Sequence, residues 1–118
     1  MQVDLFIPLK TVSEANQSEH WTKKRKRVYM QQKWVWLELH SLSVNITTPC
    51  HIYLTRHGIK LMDSDNLVSS FKHVRDSIAD YIHPGLPPGQ ADNDLSIEWH
   101  YQQVKVPTKE CGITIRII

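Results

Sequence analysis

The sequence predicts an α+β domain: a single mixed β-sheet of about four strands with two main helices, in the order β-α-β-α-β-β. Three observations predict it. Four short stretches alternate apolar and polar residues, as a strand buried on one side does. Two longer stretches repeat apolar residues at helical spacing instead. Strands and helices also interleave within 118 residues, enough for one core and too few for two, so residues 1–118 read as one domain.

The elements follow in order. Residues 2–8 alternate, with Val3, Leu5 and Ile7 on one face, and Pro8 ends the strand. Residues 10–18 are polar, and Ser18 is a helix-capping residue type. A helix is expected from Glu19 to about Leu42, where Val28, Val35, Leu39 and Leu42 recur at spacings of seven, four and three. After a polar connection, His51 to Thr55 form a second strand with Ile52 and Leu54 inward. A second helix is expected to start at Asp65 or Asn66 and run to about Ile82, burying Leu67, Phe71, Val74, Ile78 and Ile82. Pro and Gly make residues 83–90 a loop. Ile97, Trp99 and Tyr101 mark a third strand. Pro107 to Gly112 turn the chain, and Ile113, Ile115 and Ile117 mark a fourth strand, expected to pair with the third as an antiparallel hairpin.

Composition narrows the class. With 41% hydrophobic and 22% charged residues, the chain reads as an ordinary globular protein. No apolar run approaches a membrane span, and Met1-Gln2-Val3-Asp4 carries no signal-peptide pattern. A cytoplasmic protein without membrane association is the expectation. Cys50 and Cys111 lack the paired spacing of a structural zinc site and are expected to be buried free thiols. None of the seven histidines stands in a His-x-x-x-His spacing, so none is assigned a metal role.

The net charge of +2 hides an asymmetry. Lys23, Lys24, Arg25, Lys26 and Arg27 are consecutive, whereas residues 61–98 hold seven acids against Lys72 and Arg75. The basic run falls in the first turns of the first helix, where cations oppose the macrodipole. A solvated helix end is the bland reading; an external polyanion such as DNA is the sharper one. Trp21 beside the run could stack on a base, although core packing is the commoner role. The acids concentrate at Asp63-Ser64-Asp65-Asn66. An extended Asp-x-Asp turns both carboxylates to one side, suiting a hard divalent cation that takes carboxylate, phosphate and water oxygens. Lone aspartates in this position usually only cap a helix. Asp65, Ser69, Lys72 and Asp76 share the polar helix face, so a lysine lies in line with the carboxylates.

The stretch from Asp63 through Asp80, Asp-Ser-Asp-Asn-Leu-Val-Ser-Ser-Phe-Lys-His-Val-Arg-Asp-Ser-Ile-Ala-Asp, resembles the signature of the RusA family of Holliday-junction endonucleases. These are small proteins often carried by phages and prophages. Ser18-Glu19-His20-Trp21 before the basic helix, and Asp92 with the strand from Ile97 to Gln102, resemble the same branch. The resemblance implies a homodimeric, Mg²⁺- or Mn²⁺-dependent hydrolase. Such an enzyme resolves four-way DNA junctions by paired nicks in DNA recombination and repair, in the cytoplasm of a bacterial host. It also implies metal-binding, catalytic carboxylates at Asp63, Asp65 and Asp92, and a catalytic lysine on the helix. The commoner family lysine position is Ser69 here; Lys72 is three residues further on and stands in for it. The usual pair of adjacent downstream acids is Ala91-Asp92 here, with Asp94 as the alternative third ligand. Lys23 to Arg27 would bind DNA phosphates. Two other classes fit the same residues: a non-catalytic DNA-binding accessory protein, and a metal-dependent phosphoesterase acting on small phosphates. Trp34, Trp36 and the C-terminal isoleucine strand are candidate dimer surfaces, each with burial inside the monomer as the first expectation.

Overall fold

A computed structural model describes residues 2–13, 20–43, 45–85 and 95–118. Its strands are β1 (Val3–Ile7), β2 (Cys50–Gly58), β3 (Ile97–Lys105) and β4 (Gly112–Ile117); its helices are α1 (Trp21–Leu42), α2 (Ser64–Ser70) and α3 (Lys72–Ile82). The interleaved order and the single mixed sheet make an α+β fold, as expected.

The sheet order is β1-β4-β2-β3, with β4 antiparallel to both of its neighbours and β2 parallel to β3. The expected hairpin between β3 and β4 is therefore not formed. Instead β4 inserts between β1 and β2, with Ile113, Ile115 and Ile117 essentially inaccessible to solvent. β3 carries Glu98, Gln102 and Lys105, side chains that keep an edge strand soluble. The connection between them crosses the end of β2, where the Val106 amide donates to the Gly58 carbonyl (2.9 Å). Gly112 then enters the sheet close against β1. A Cβ there would lie 2.7 Å from the Ile7 carbonyl oxygen, too close for any larger residue without movement.

β1, β2 and β3 all run the same way, so each successive pair needs a crossover connection. α1 supplies the first and α2 with α3 the second. Inward residues of the strands pack with Val35, Leu39, Leu67, Phe71, Val74 and Ile78 of the helices in one core. Replacing Ile115 by Val removes one methylene from this core. The expected cost is about 1 kcal/mol, seen as a fall in Tm of about 4 °C.

Three helical details depart from expectation. The second helix is broken: Phe71 (φ −96°, ψ 5°) separates α2 from α3. Its side chain is fully buried, and the stripe Leu67, Phe71, Val74 and Ile78 faces inward as the periodicity predicts, with Ile82 half-buried. α1 buries Gln31, Val35 and Leu39, while Val28 is half-buried and Leu42 exposed. Gln31 replaces an apolar residue in that stripe because its amide donates to the Lys10 carbonyl (3.2 Å), tying α1 to the segment after β1. Ser18 lies outside the described residues. The α1 cap is His20, whose Nδ1 accepts from the Thr22 amide (3.3 Å).

Neither Cys50 nor Cys111 is in a disulfide; Cys50 is buried, and Cys111 is half-buried rather than buried. Trp34 and Trp36 are exposed on α1, against the expectation of burial, whereas the isoleucine strand is buried. No described helix is long and apolar enough to cross a membrane.

Candidate functional site

Parallel strands end together, and ligands in such sheets gather beyond their carboxyl ends. Here that edge receives the segment after Ile7, the segment after Gly58 and the one after Lys105. The segment after Gly58 leads to the Asp-x-Asp motif. Two side chains from the sheet fix it. Gln103 of β3 accepts from the Met62 amide (2.9 Å) and donates to the Met62 carbonyl (2.8 Å). Arg56 of β2 donates to the Lys60 carbonyl (2.7 Å). Partial burial pulls the Arg56 guanidinium below its ordinary pKa, with the nearby Cys111 acting in the opposite direction; a guanidinium remains a cation regardless. Replacing Gln103 by Ala frees Met62, and amide exchange at Met62 is expected to accelerate while the β2 and β3 amides keep their protection.

Asp63 is the residue capping α2, in an extended conformation (φ −62°, ψ 156°), and Asp65 is the second residue of its first turn. The helix thus begins at Ser64, one residue before the earliest expected start, so Asp65 is helical and the extended Asp-x-Asp expected to turn both carboxylates to one side is not formed. Asp63 and Asp65 are both exposed, and the Asp63 side chain makes no capping hydrogen bond. Its carboxylate oxygens are not spent on the helix, unlike those of an ordinary capping aspartate. Asn66 accepts a hydrogen bond from the Ser13 hydroxyl (2.8 Å), so the segment following β1 is tied to the first turn of α2. Lys72 opens α3 and is exposed. The break at Phe71 means that Lys72 and Asp65 belong to different helices rather than to one continuous face. Asp92 and its alternative Asp94 lie outside the described residues.

The basic run occupies the first turns of α1. Lys23, Lys24, Arg25 and Lys26 are exposed and Arg27 is half-buried. The first turn of α1 holds no acid. Trp21 is 60% exposed, with the Arg25 guanidinium 5.7 Å from its ring centroid; it is a surface residue, not core packing. α1 and α3 run side by side in the same direction. The Ser77 hydroxyl donates to the Gln32 carbonyl (3.1 Å), and further along the His40 ring meets Tyr81 edge-on at 4.9 Å.

No family model, curated protein or solved structure matches this chain. What the chain can do chemically lies in the residues at this edge. It presents two oxygen-donor carboxylates, a lysine at the start of the following helix, and cations at the start of α1. Among the residues that sequence reasoning passed over, Gln103 and Arg56 have no pattern to mark them, because their partners are backbone groups of a distant loop.

Proposed function

We propose that the chain is a metal-dependent, structure-selective DNA endonuclease of the RusA type, cutting four-way junctions by paired phosphodiester hydrolysis. One observation carries the reading. The Asp-x-Asp motif and the cationic start of α1 both follow strands that end at the same edge of the sheet, and Lys72 opens the helix that packs beside α1. A phosphate-rich polymer can be gripped and acted upon along one edge.

Asp63 and Asp65 would hold Mg²⁺ or Mn²⁺, with Asp92 as the third carboxylate. Exposed oxygen donors, one of them released from capping, fit a hard cation that keeps several waters. A cation bound there supplies Lewis acidity and a water nucleophile for the phosphodiester. Lys72 neutralises charge on the scissile phosphate. Lys23, Lys24, Arg25 and Lys26, the exposed members of the basic run, hold flanking backbone phosphates, so selectivity rests on junction shape and charge rather than on base sequence. Gln103 positions the motif without touching DNA. Gln103→Ala is expected to lower turnover about tenfold and leave junction affinity unchanged, a split read by single-turnover kinetics against binding.

Two symmetric nicks call for two related sites, hence a homodimer; exposed Trp34, Trp36 and Leu37 on α1 offer one apolar surface for it. On the same resemblance, the chain works in the bacterial cytoplasm and is phage- or prophage-borne.

The test is incubation of the protein with a synthetic four-way junction and a linear duplex, with and without Mg²⁺. Paired, Mg²⁺-dependent nicks confined to the junction are expected. Tight junction binding without nicking would instead identify a DNA-binding accessory protein. Hydrolysis of small phosphates with an intact junction would identify a phosphoesterase.

A further inference from the structure

The sheet has a second face, opposite the helices. There His51 of β2 stands opposite Glu98 of β3 in the parallel register, and Tyr53 stands opposite His100. Residues two apart on a strand share a face, so two imidazoles and a carboxylate converge. His51 Nδ1 lies 3.0 Å from Glu98 Oε2 and 3.1 Å from His100 Nε2. Ligand atoms of all three lie within 4.8 Å of one another.

We propose that His51, Glu98 and His100 form a binding site for a first-row transition-metal dication of the zinc class, separate from the Asp63–Asp65 edge. Four observations support it. First, metal–nitrogen bonds of about 2.0–2.1 Å put the donors of a tetrahedral zinc about 3.3 Å apart, close to the spacings from His51 Nδ1. Second, that nitrogen has a single in-plane direction for a proton or lone pair, yet both Glu98 and His100 face it. One shared proton serves one of them well; a dication serves all three. Third, the Tyr53 ring stacks on His100 at 4.4 Å and 12°, and lies nearly parallel to His51 at 6.4 Å, which holds the imidazoles in orientation. Fourth, the site is reachable, with the His51 and Glu98 side chains 49% and 65% exposed.

The donor set decides the class of ion. Two imidazoles with a carboxylate suit Zn²⁺, Ni²⁺ or Cu²⁺, whereas Mg²⁺ prefers oxygen alone. Three protein donors leave a fourth position for water or an added ligand. His51 lies near the start of β2, seven residues and about 23 Å of strand from Gly58, which precedes the Asp-x-Asp motif. A metal here is therefore not the cation of the proposed endonuclease.

The experiment is calorimetric titration of the chelator-treated protein with Zn²⁺, repeated by Co²⁺ absorption in the visible. The wild type is expected to bind one equivalent with micromolar or tighter affinity and to give the intense bands of tetrahedral Co²⁺. His51→Gln and His100→Gln should each weaken that equivalent at least tenfold, and the double variant should abolish it. Asp63→Ala/Asp65→Ala should leave it intact. Circular dichroism confirms that each variant is folded, as expected for substitutions on an open face. No Zn²⁺ uptake by the wild type, or unchanged affinity in the folded double variant, overturns the proposal. Loss of uptake in Asp63→Ala/Asp65→Ala also overturns it and moves the metal to the other site.

Discussion

Replacing Asp65 by Ala is expected to reduce Mg²⁺-dependent nicking of a four-way junction by about 10²-fold or more, with junction affinity within a few-fold of wild type. Asp63→Ala should behave alike. These side chains do little for the fold. Asp63 makes no capping hydrogen bond, so its loss costs less than the usual ~1 kcal/mol of a capping residue. Asp65 is exposed in the first turn of α2, where its only general contribution is to the helix dipole, about 0.3–1 kcal/mol. Both variants should therefore stay folded and keep the cationic surface proposed to grip DNA. Asp65→Asn sharpens the test, because it preserves shape and removes charge. If the amide cuts as well as the carboxylate, Asp65 holds no cation. Wild-type cleavage by Asp63→Ala and Asp65→Ala together would leave the pair as helix-start residues and nothing more.

How much of this was legible in the sequence differs between local and distant features. Alternation identified Val3, Leu5 and Ile7, and again Ile113, Ile115 and Ile117, because a strand's two faces are written into adjacent residues. The helical stripe from Leu67 to Ile78 was legible for the same reason. Strand order was not, since nothing local to β4 says which neighbours it inserts between. The break at Phe71 escaped because an aromatic residue at the right period reads as continuous helix. The Asp63–Asp65 motif could be picked out by residue type, but not Gln103 and Arg56, which hold its loop through backbone atoms. The meeting of His51 with His100 depends on parallel register across 49 residues of chain, which spacing rules for one helix or one loop cannot detect. The third carboxylate, Asp92, lies outside the described residues and rests on the resemblance alone.

Converting Lys23, Lys24, Arg25, Lys26 and Arg27 together to Gln is expected to weaken junction binding by about 10³-fold near 0.1 M salt. It should also flatten the salt dependence of log K by about four units, since each phosphate contact contributes a slope of about 0.9. Four of the five are exposed and Arg27 is half-buried, which sets the number at four rather than five. Arg27→Gln alone should barely change the slope. At the four exposed positions the fold should not suffer, because the first turn of α1 holds no acid and its cations face the positive end of the helix dipole. Removing them relieves about 0.3–1 kcal/mol of repulsion for those nearest the end. Thermal stability that is equal or slightly raised, together with lost binding, therefore distinguishes a DNA grip from a structural role. The same variant separates the endonuclease from an esterase of small phosphates, whose substrate needs no such track and whose turnover should be unmoved. Fluorescence anisotropy on a labelled junction across a salt series reads the slope directly. An unchanged slope would mean that the cations are merely solvated, and that α1 does not face the DNA.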